Sequence, residues 1–180
     1  MPTDLMNLRA TYRVQVNAGF TLTAAAAQAD YLARLGISHL YTSPILQAAP
    51  GSNHGYDVVD PTRVNAELGG ADALERLTQA LKSADLGYIL DIVPNHMAIT
   101  GAENPWWWDL LENGPASRYA TYFDVEWNPT ESRHENQVLA PILGDHYGRV
   151  LEANEIRLDF DGRHFSVRYY DHAYPVDPKT

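Results

Sequence analysis

The chain is 180 residues long, with 13 basic against 23 acidic side chains and a formal net charge of −10. That balance excludes an electrostatic binder of nucleic acid or of an anionic membrane, and the absence of cysteine removes disulfide scaffolds, thiolate zinc sites and cysteine nucleophiles. Hydrophobic residues at 45% and charged residues at 20% are ordinary for a globular protein, and the length suits one domain that buries about two-thirds of its unfolded surface.

After a polar lead, Thr11 to Val16 alternates β-favouring residues and stops at Asn17, Ala18 and Gly19, which predicts a strand. Thr21 or Thr23 caps a helix in which Leu22, Ala25, Ala29, Leu32 and Leu35 recur at helical spacing until Gly36 ends it. Ile37 to Leu46 is a run of branched and aromatic residues broken at Pro44, and predicts a buried strand ending near Ser43. Gln47 to Gly70 is rich in Pro, Gly, Asn and Asp without a sustained period, and predicts a long loop. Leu74, Leu77, Leu81 and Ala84 mark an amphipathic helix from Ala71 to Leu86, and Gly87 opens a third strand, Tyr88 to Val93, apolar except for Asp91. Short buried strands alternating with helices predict parallel pairing through right-handed crossovers, hence an α/β fold whose strand ends share one edge.

Beyond His96 the pattern changes. Asn104 caps a predicted helix with Pro105 at its first position, running through Trp106, Trp107 and Trp108 to Gly114. Three consecutive positions span about 200° of a helix, so at least one of these tryptophans is expected in a core. Glu155 to Phe160 and Arg163 to Tyr170 flank Asp161-Gly162, a two-residue connection suited to a type I′ hairpin. The expected organisation is a βα unit over residues 1–97 and an inserted mixed α+β subdomain over residues 98–180. The first twenty residues hold no apolar run of signal-peptide length, and no stretch approaches the roughly 18 apolar residues of a membrane span, so a soluble, cytoplasmic protein is expected.

The strongest chemical signal is Asp91-Ile92-Val93-Pro94-Asn95-His96 at the end of the third strand, where α/β barrels keep their active sites. Burying the Asp91 carboxylate is costly unless it is paired or hydrogen-bonded, so an organising partner is expected beside it. His96 offers a donor to a polar ligand. Taken alone, a structural aspartate followed by a loop histidine is the better account of the pattern; the second loop changes the balance. His54-Gly55-Tyr56-Asp57 follows the second strand and is expected on the same rim. A tyrosine ring lies against the C–H face of a pyranose, His and Asp bond its hydroxyls, and glycine admits close approach; a polar loop with one packed tyrosine is the plain alternative. His54, Asp57, Asp91 and His96 also offer two imidazoles and two carboxylates to zinc, at a spacing that matches no common ligand motif.

Asp91-Ile-Val-Pro-Asn-His96 resembles the first signature region of the alpha-amylase superfamily. His54-Gly-Tyr-Asp57 resembles its loop after the second barrel strand, and Gly36-Ile-Ser-His-Leu-Tyr-Thr-Ser-Pro-Ile45 its helix-to-second-strand segment. Tyr12-Arg-Val-Gln-Val-Asn-Ala-Gly-Phe20, Trp106-Trp-Trp-Asp-Leu-Leu-Glu-Asn-Gly-Pro-Ala-Ser117 and Val167-Arg-Tyr-Tyr-Asp-His172 resemble, within that superfamily, the maltooligosyl trehalose synthases. The resemblance runs from about Ala10 to Pro178. It implies the N-terminal part of a (β/α)8 TIM barrel, its first three strands, with the start of an inserted subdomain.

The implied enzyme is an intramolecular transglucosylase that turns the reducing-end α-1,4 linkage of a maltooligosaccharide into an α,α-1,1 linkage. The family reaction is retaining, with an aspartate nucleophile, a glutamate acid/base and a second aspartate that steadies the sugar. Freed glucose must turn and attack before water does, in a closed pocket. Carried over, Tyr56 stacks on the reacting sugar, His96 bonds its hydroxyls and Asp91 organises the strand end. Asn95 aligns with a structural-calcium position of some amylases, but no metal and no cofactor is expected; His54 and Asp57 stand between sugar contact and loop support. The nucleophile and acid/base belong to later strands, so residues 1–180 are expected to lack them and to be inactive alone, with an open sheet edge that favours aggregation or loose packing. A hydrolase or glucanotransferase of the same superfamily and a non-catalytic maltooligosaccharide-binding module are the alternatives.

Overall fold

The computed structural model describes residues 7–99 and 102–177; residues 1–6, 100–101 and 178–180, which belong to the polar lead and to the inserted span expected from sequence, lie outside them. The chain divides into two compact units, Met1–Ala98 and Ile99–Thr180. Among the described residues no helix is long and apolar enough to cross a membrane.

The first unit opens with β1 (Thr11–Val14). Thr21 Oγ1 then accepts the Ala24 N–H at 3.3 Å and caps α1 (Leu22–Ala26). The single helix expected through Leu35 is two: Gln28 N donates to the Ala25 carbonyl at 3.0 Å, a tight i to i−3 turn that separates α1 from α2 (Ala29–Arg34). Leu22, Ala25, Ala29 and Leu32 are buried, whereas Leu35 sits at the C-cap, past the last turn facing the core, and is exposed. β2 (His39–Thr42) follows.

Residues 47–70, expected as a loop, carry secondary structure. β3 (Leu46–Ala48) and β4 (Val58–Val64) pair antiparallel, and a 3-10 turn at Ala66–Leu68 leads into α3 (Gly70–Ser83). The register shifts on both sides of Gln47. Such irregular pairing accommodates Pro61 within β4 and erases the alternation that marks a strand in sequence.

β5 (Gly87–Leu90) completes a parallel sheet of order β1-β2-β5. One sheet face is buried with the helices: Leu40 packs in a cluster with Val16, Leu22, Leu32, Leu77 and Leu81. Side chains alternate across a strand, and Arg13 lies in register with Tyr41, and Tyr41 with Ile89, on the opposite face. Gly87 is required by close approach, since a Cβ there would lie 2.2 Å from the His39 ring. The third strand was expected to reach Val93; it stops at Leu90, so Asp91 stands just past the strand end, its N–H donating to the Thr42 carbonyl at 3.3 Å.

In the second unit, Asn104 Oδ1 accepts the N–H groups of Trp106 and Trp107, each at 3.0 Å, and starts α4 (Pro105–Asn113) with Pro105 in the first turn. The tryptophans separate by helical position: Trp107 is buried beside Leu110, while Trp106 stacks on Tyr119 with ring centroids 5.1 Å apart. α5 (Tyr147–Glu152) precedes an antiparallel meander of β6 (Ile156–Phe160), β7 (Phe165–Tyr169) and β8 (His172–Pro175).

The two-residue turn expected at Asp161-Gly162 is longer. Asp161 Oδ1 accepts the N–H groups of Arg163 and His164, both at 2.8 Å, and of the pair only Gly162 has positive φ, at +97°. A type I′ turn needs positive φ at both positions, and the Asp161 side chain here favours a capped turn instead. The two-residue connection falls at Tyr170-Asp171, between the paired Tyr169 and His172, with Tyr170 at φ +49°.

Candidate functional site

Four elements of the first unit converge at the C-terminal ends of its parallel strands. β1 supplies Arg13, β2 supplies Tyr41, the exit of β5 supplies Asp91, and the loop between β3 and β4 supplies Tyr56. Tyr56 Oη donates to Asp91 Oδ2 at 2.6 Å, and Tyr41 Oη donates to the same oxygen at 3.2 Å. Arg13 Nη2 donates to Tyr56 Oη at 3.3 Å and lies 3.8 Å from Asp91 Oδ2, with its guanidinium 5.4 Å from the centroid of the Tyr41 ring. The partly buried Asp91 carboxylate therefore has as partners, all at Oδ2, two phenols backed by a cation. The hydrogen bond to Asp91 pushes the Tyr56 phenol above its ordinary value, because ionising it would set two anions face to face; the bond from Arg13 pulls the other way and is the smaller effect.

The histidines are oriented around the same tyrosine. His96 Nε2 lies 3.0 Å from the Tyr56 carbonyl, which only accepts, so Nε2 carries a proton; Nδ1 faces the Asn95 carboxamide at 3.3 Å. His54 Nδ1 accepts the Tyr56 N–H at 3.1 Å, which leaves the proton on Nε2. The 3.7 Å separation between His54 Nδ1 and Asp57 Oδ1 is consequently not an ion pair in this geometry. The His54 and Tyr56 rings stack with centroids 6.0 Å apart.

Asp57 turns into its own loop. Its Oδ1 accepts from Ser52 Oγ at 2.5 Å, and Ser52 Oγ accepts the Gly55 N–H at 3.1 Å. Gly55 has φ +79°, and a Cβ there would lie 2.7 Å from the Pro44 carbonyl oxygen, so only glycine lets the loop press onto the exit of β2.

Of the residues singled out from sequence, Tyr56, Asp91, Asn95 and His96 come together, His54 flanks Tyr56, and Asp57 braces the loop. Arg13 and Tyr41 were missed. The available signal was weak: each is a polar residue in a short strand, and their approach depends on strand register. Among the described residues no group of three His, Asp or Glu side chains is placed to hold a metal ion, so the four-residue zinc arrangement does not form. A cavity of about 360 Å³ lined by Trp107, Leu111, Leu139, Ile142, His172 and Tyr174 belongs to the second unit and shares no residue with this rim.

Residues 17–168 match the family described as alpha amylase, catalytic domain, and the chain belongs to that family. Within it, the chain is 45% identical over 174 residues to a putative maltooligosyl trehalose synthase of Mycobacterium tuberculosis, covering 93% of this chain and 21% of that protein. The structure of maltooligosyltrehalose synthase from Arthrobacter ramosus matches with a TM-score of 0.82 and 41% identity over 94% of this chain and 21% of the other. A hypothetical maltooligosyl trehalose synthase of Sulfolobus tokodaii matches with a TM-score of 0.80 and 38% identity, covering 97% and 22%. The homology to maltooligosyl trehalose synthases is strong, and the parallel sheet with its helices is an N-terminal, partial (β/α)8 barrel accompanied by an extra subdomain. The chain spans about a fifth of the length of these relatives, 21% and 22% in the cases above.

Proposed function

We propose that these residues form part of the sugar-holding rim of a cytoplasmic maltooligosyl trehalose synthase, which converts the reducing-end α-1,4 linkage of a maltooligosaccharide to α,α-1,1. One observation carries the reading: at the exits of parallel strands, Asp91 grips the Tyr56 phenol while His96 is seated against the Tyr56 carbonyl. A ring held at both its tip and its backbone is a ready platform for a pyranose, and barrel enzymes assemble their sites at this end. The similarity to maltooligosyl trehalose synthases over 93% of the chain supports the choice of reaction.

Tyr56 stacks on the reacting sugar, and His96, held at Nε2 by the Tyr56 carbonyl, bonds a sugar hydroxyl. Asp91 holds Tyr56, Asn95 faces His96, His54 flanks the platform, and Asp57 keeps the loop closed. Residues 1–97 supply the first three strands of the catalytic barrel and the helices between them, and residues 98–180 the inserted subdomain. The nucleophile and acid/base come from parts of the enzyme outside these 180 residues, so the chain alone is inactive; no metal or cofactor takes part.

Incubating the full polypeptide with maltopentaose tests this. Reducing ends should disappear with little free glucose. Release of glucose or of shorter maltodextrins in quantity would assign a hydrolase or a glucanotransferase of the same family instead.

A further inference from the structure

Strand β1 and Gln15 just past its end reach the sugar loop by two routes that nothing in the proposed reaction requires of them. Arg13 uses its planar fork: Nη1 donates to Gln15 Oε1 at 3.1 Å and Nη2 donates to Tyr56 Oη at 3.3 Å. Gln15 passes the connection on, its Nε2 donating to the Asn53 carbonyl at 3.0 Å. A continuous chain of donors therefore runs from Gln15 to Asn53 and from Arg13 through Tyr56 to Asp91. Asn53 and Tyr56 stand on either side of His54-Gly55, so the loop is gripped at its backbone on one side and at an aromatic tip on the other.

The base of this grip is fixed. Val16 N donates to Ser43 Oγ at 2.9 Å, and both residues are buried, which locks the end of β1 to the exit of β2. The Tyr56 hydroxyl has one proton to give and Asp91 takes it; the donor from Arg13 occupies its lone pair, so the direction of the hydroxyl is determined from both sides.

We infer that Arg13 and Gln15 are positioning residues that set the Tyr56 platform for the sugar, acting through Tyr56 and Asn53 without touching the substrate. This rests on the sugar-rim reading of the site. Lysine cannot substitute at position 13, because one ammonium does not span both acceptors and does not lie flat over the Tyr41 ring. Arg13 and Gln15 are exposed, so their bonds contribute little to global stability; their effect lies in preordering a loop that binding would otherwise have to order.

The test uses the full polypeptide and maltopentaose, with Arg13→Met, Arg13→Lys, Gln15→Ala, Tyr56→Phe and the double variant Arg13→Met/Tyr56→Phe. Arg13→Met should lower kcat/KM on the order of tenfold, mainly through KM, with Tm nearly unchanged and no rescue by Arg13→Lys. In the Tyr56→Phe background the same Arg13 change should cost less than about twofold, since its target hydroxyl is gone. Amide hydrogen exchange across residues 52–57 should rise in Arg13→Met and Gln15→Ala while α3 stays protected. Arg63→Ala, whose partner Asp60 lies outside the rim, should leave both readouts at wild-type values. Multiplying effects in the double variant, or unchanged exchange in the loop, would overturn the inference. A wild-type enzyme that ignores maltopentaose but whose loop exchange responds to Arg13→Met would overturn the functional reading and leave the positioning role standing.

Discussion

The unit Met1–Ala98 buries leucines, valines and alanines on one face of a parallel sheet, whereas Ile99–Thr180 depends on ring contacts, a helix cap and a three-stranded meander with few fully buried side chains. Parallel sheets need covered faces, and the helices of the first unit cover one of them with close-packed aliphatic side chains. In the second unit, Leu158, Phe160 and Phe165 remain exposed on the hairpin, with the two phenylalanine rings 4.6 Å apart. The contrast bears on where the proposed sugar rim sits: its residues project from the strand ends of the unit with the continuous core.

The largest expected effect tests the core of the first unit. Leu77 is 0% exposed in that core, and Leu77→Ala should cost about 2–5 kcal/mol, measured by urea unfolding; a loss under about 1 kcal/mol would show that the core collapses around the cavity and is not close-packed.

Next comes overpacking at the sheet. Gly87→Ala forces a methyl against the His39 ring and should cost about 1–3 kcal/mol, with exchange rising in β2 and β5. Unaltered protection of both strands would mean that the His39 ring swings aside freely.

A cap should matter almost as much in the second unit. Asn104 is buried and its Oδ1 serves two N–H groups of α4, so Asn104→Ala should cost about 1–2 kcal/mol and accelerate exchange at Trp106 and Trp107. A loss under about 0.5 kcal/mol would show that the cap contributes little to the second unit.

The smallest effects separate the two units by pH. The raised Tyr56 phenol contributes stability that is present below the ordinary phenol value and lost as pH rises through the folded-state value, so the rim should loosen only in alkali. Asp161 is held below the usual carboxylate range by the backbone N–H groups of His164 and Arg163. Its contribution is present above the unfolded carboxylate value and lost as pH falls through the folded-state one, so the β6–β7 turn should loosen only in acid. Ultraviolet difference titration comparing wild type with Tyr56→Phe, and exchange at residues 161–164 in wild type and Asp161→Asn, read these transitions. Tyr56 ionising below ordinary phenols, or the turn opening near neutrality, would contradict them.

Several elements were legible because their causes are local. Helix α3 is announced by Leu74, Leu77 and Leu81 at helical spacing, and α4 by Asn104 followed by Pro105. Asp91 within an apolar run and Tyr56 beside Gly55 drew attention because a carboxylate or a glycine there needs a special reason. The pair β3 and β4 was hidden because bulged pairing leaves no alternation, and Pro61 argues against a strand. The hairpin turn was misplaced because the Asp161 side chain competes with the two-residue geometry.

Residue type and short-range order alone determined the alternation of strands and helices, the capped start of α4 and the identity of the acid and the tyrosine at the rim. Tertiary structure alone decided that Arg13, Tyr41, Tyr56 and Asp91 meet, that Asp57 turns inward, and that His54 takes the Tyr56 N–H while His96 takes its carbonyl. The reason lies in the range of the forces: propensity, periodicity and capping act within a turn or two of chain. The meeting of Arg13 and Tyr41 depends on parallel register between strands separated by dozens of residues, and one step of register would send Arg13 to the other face.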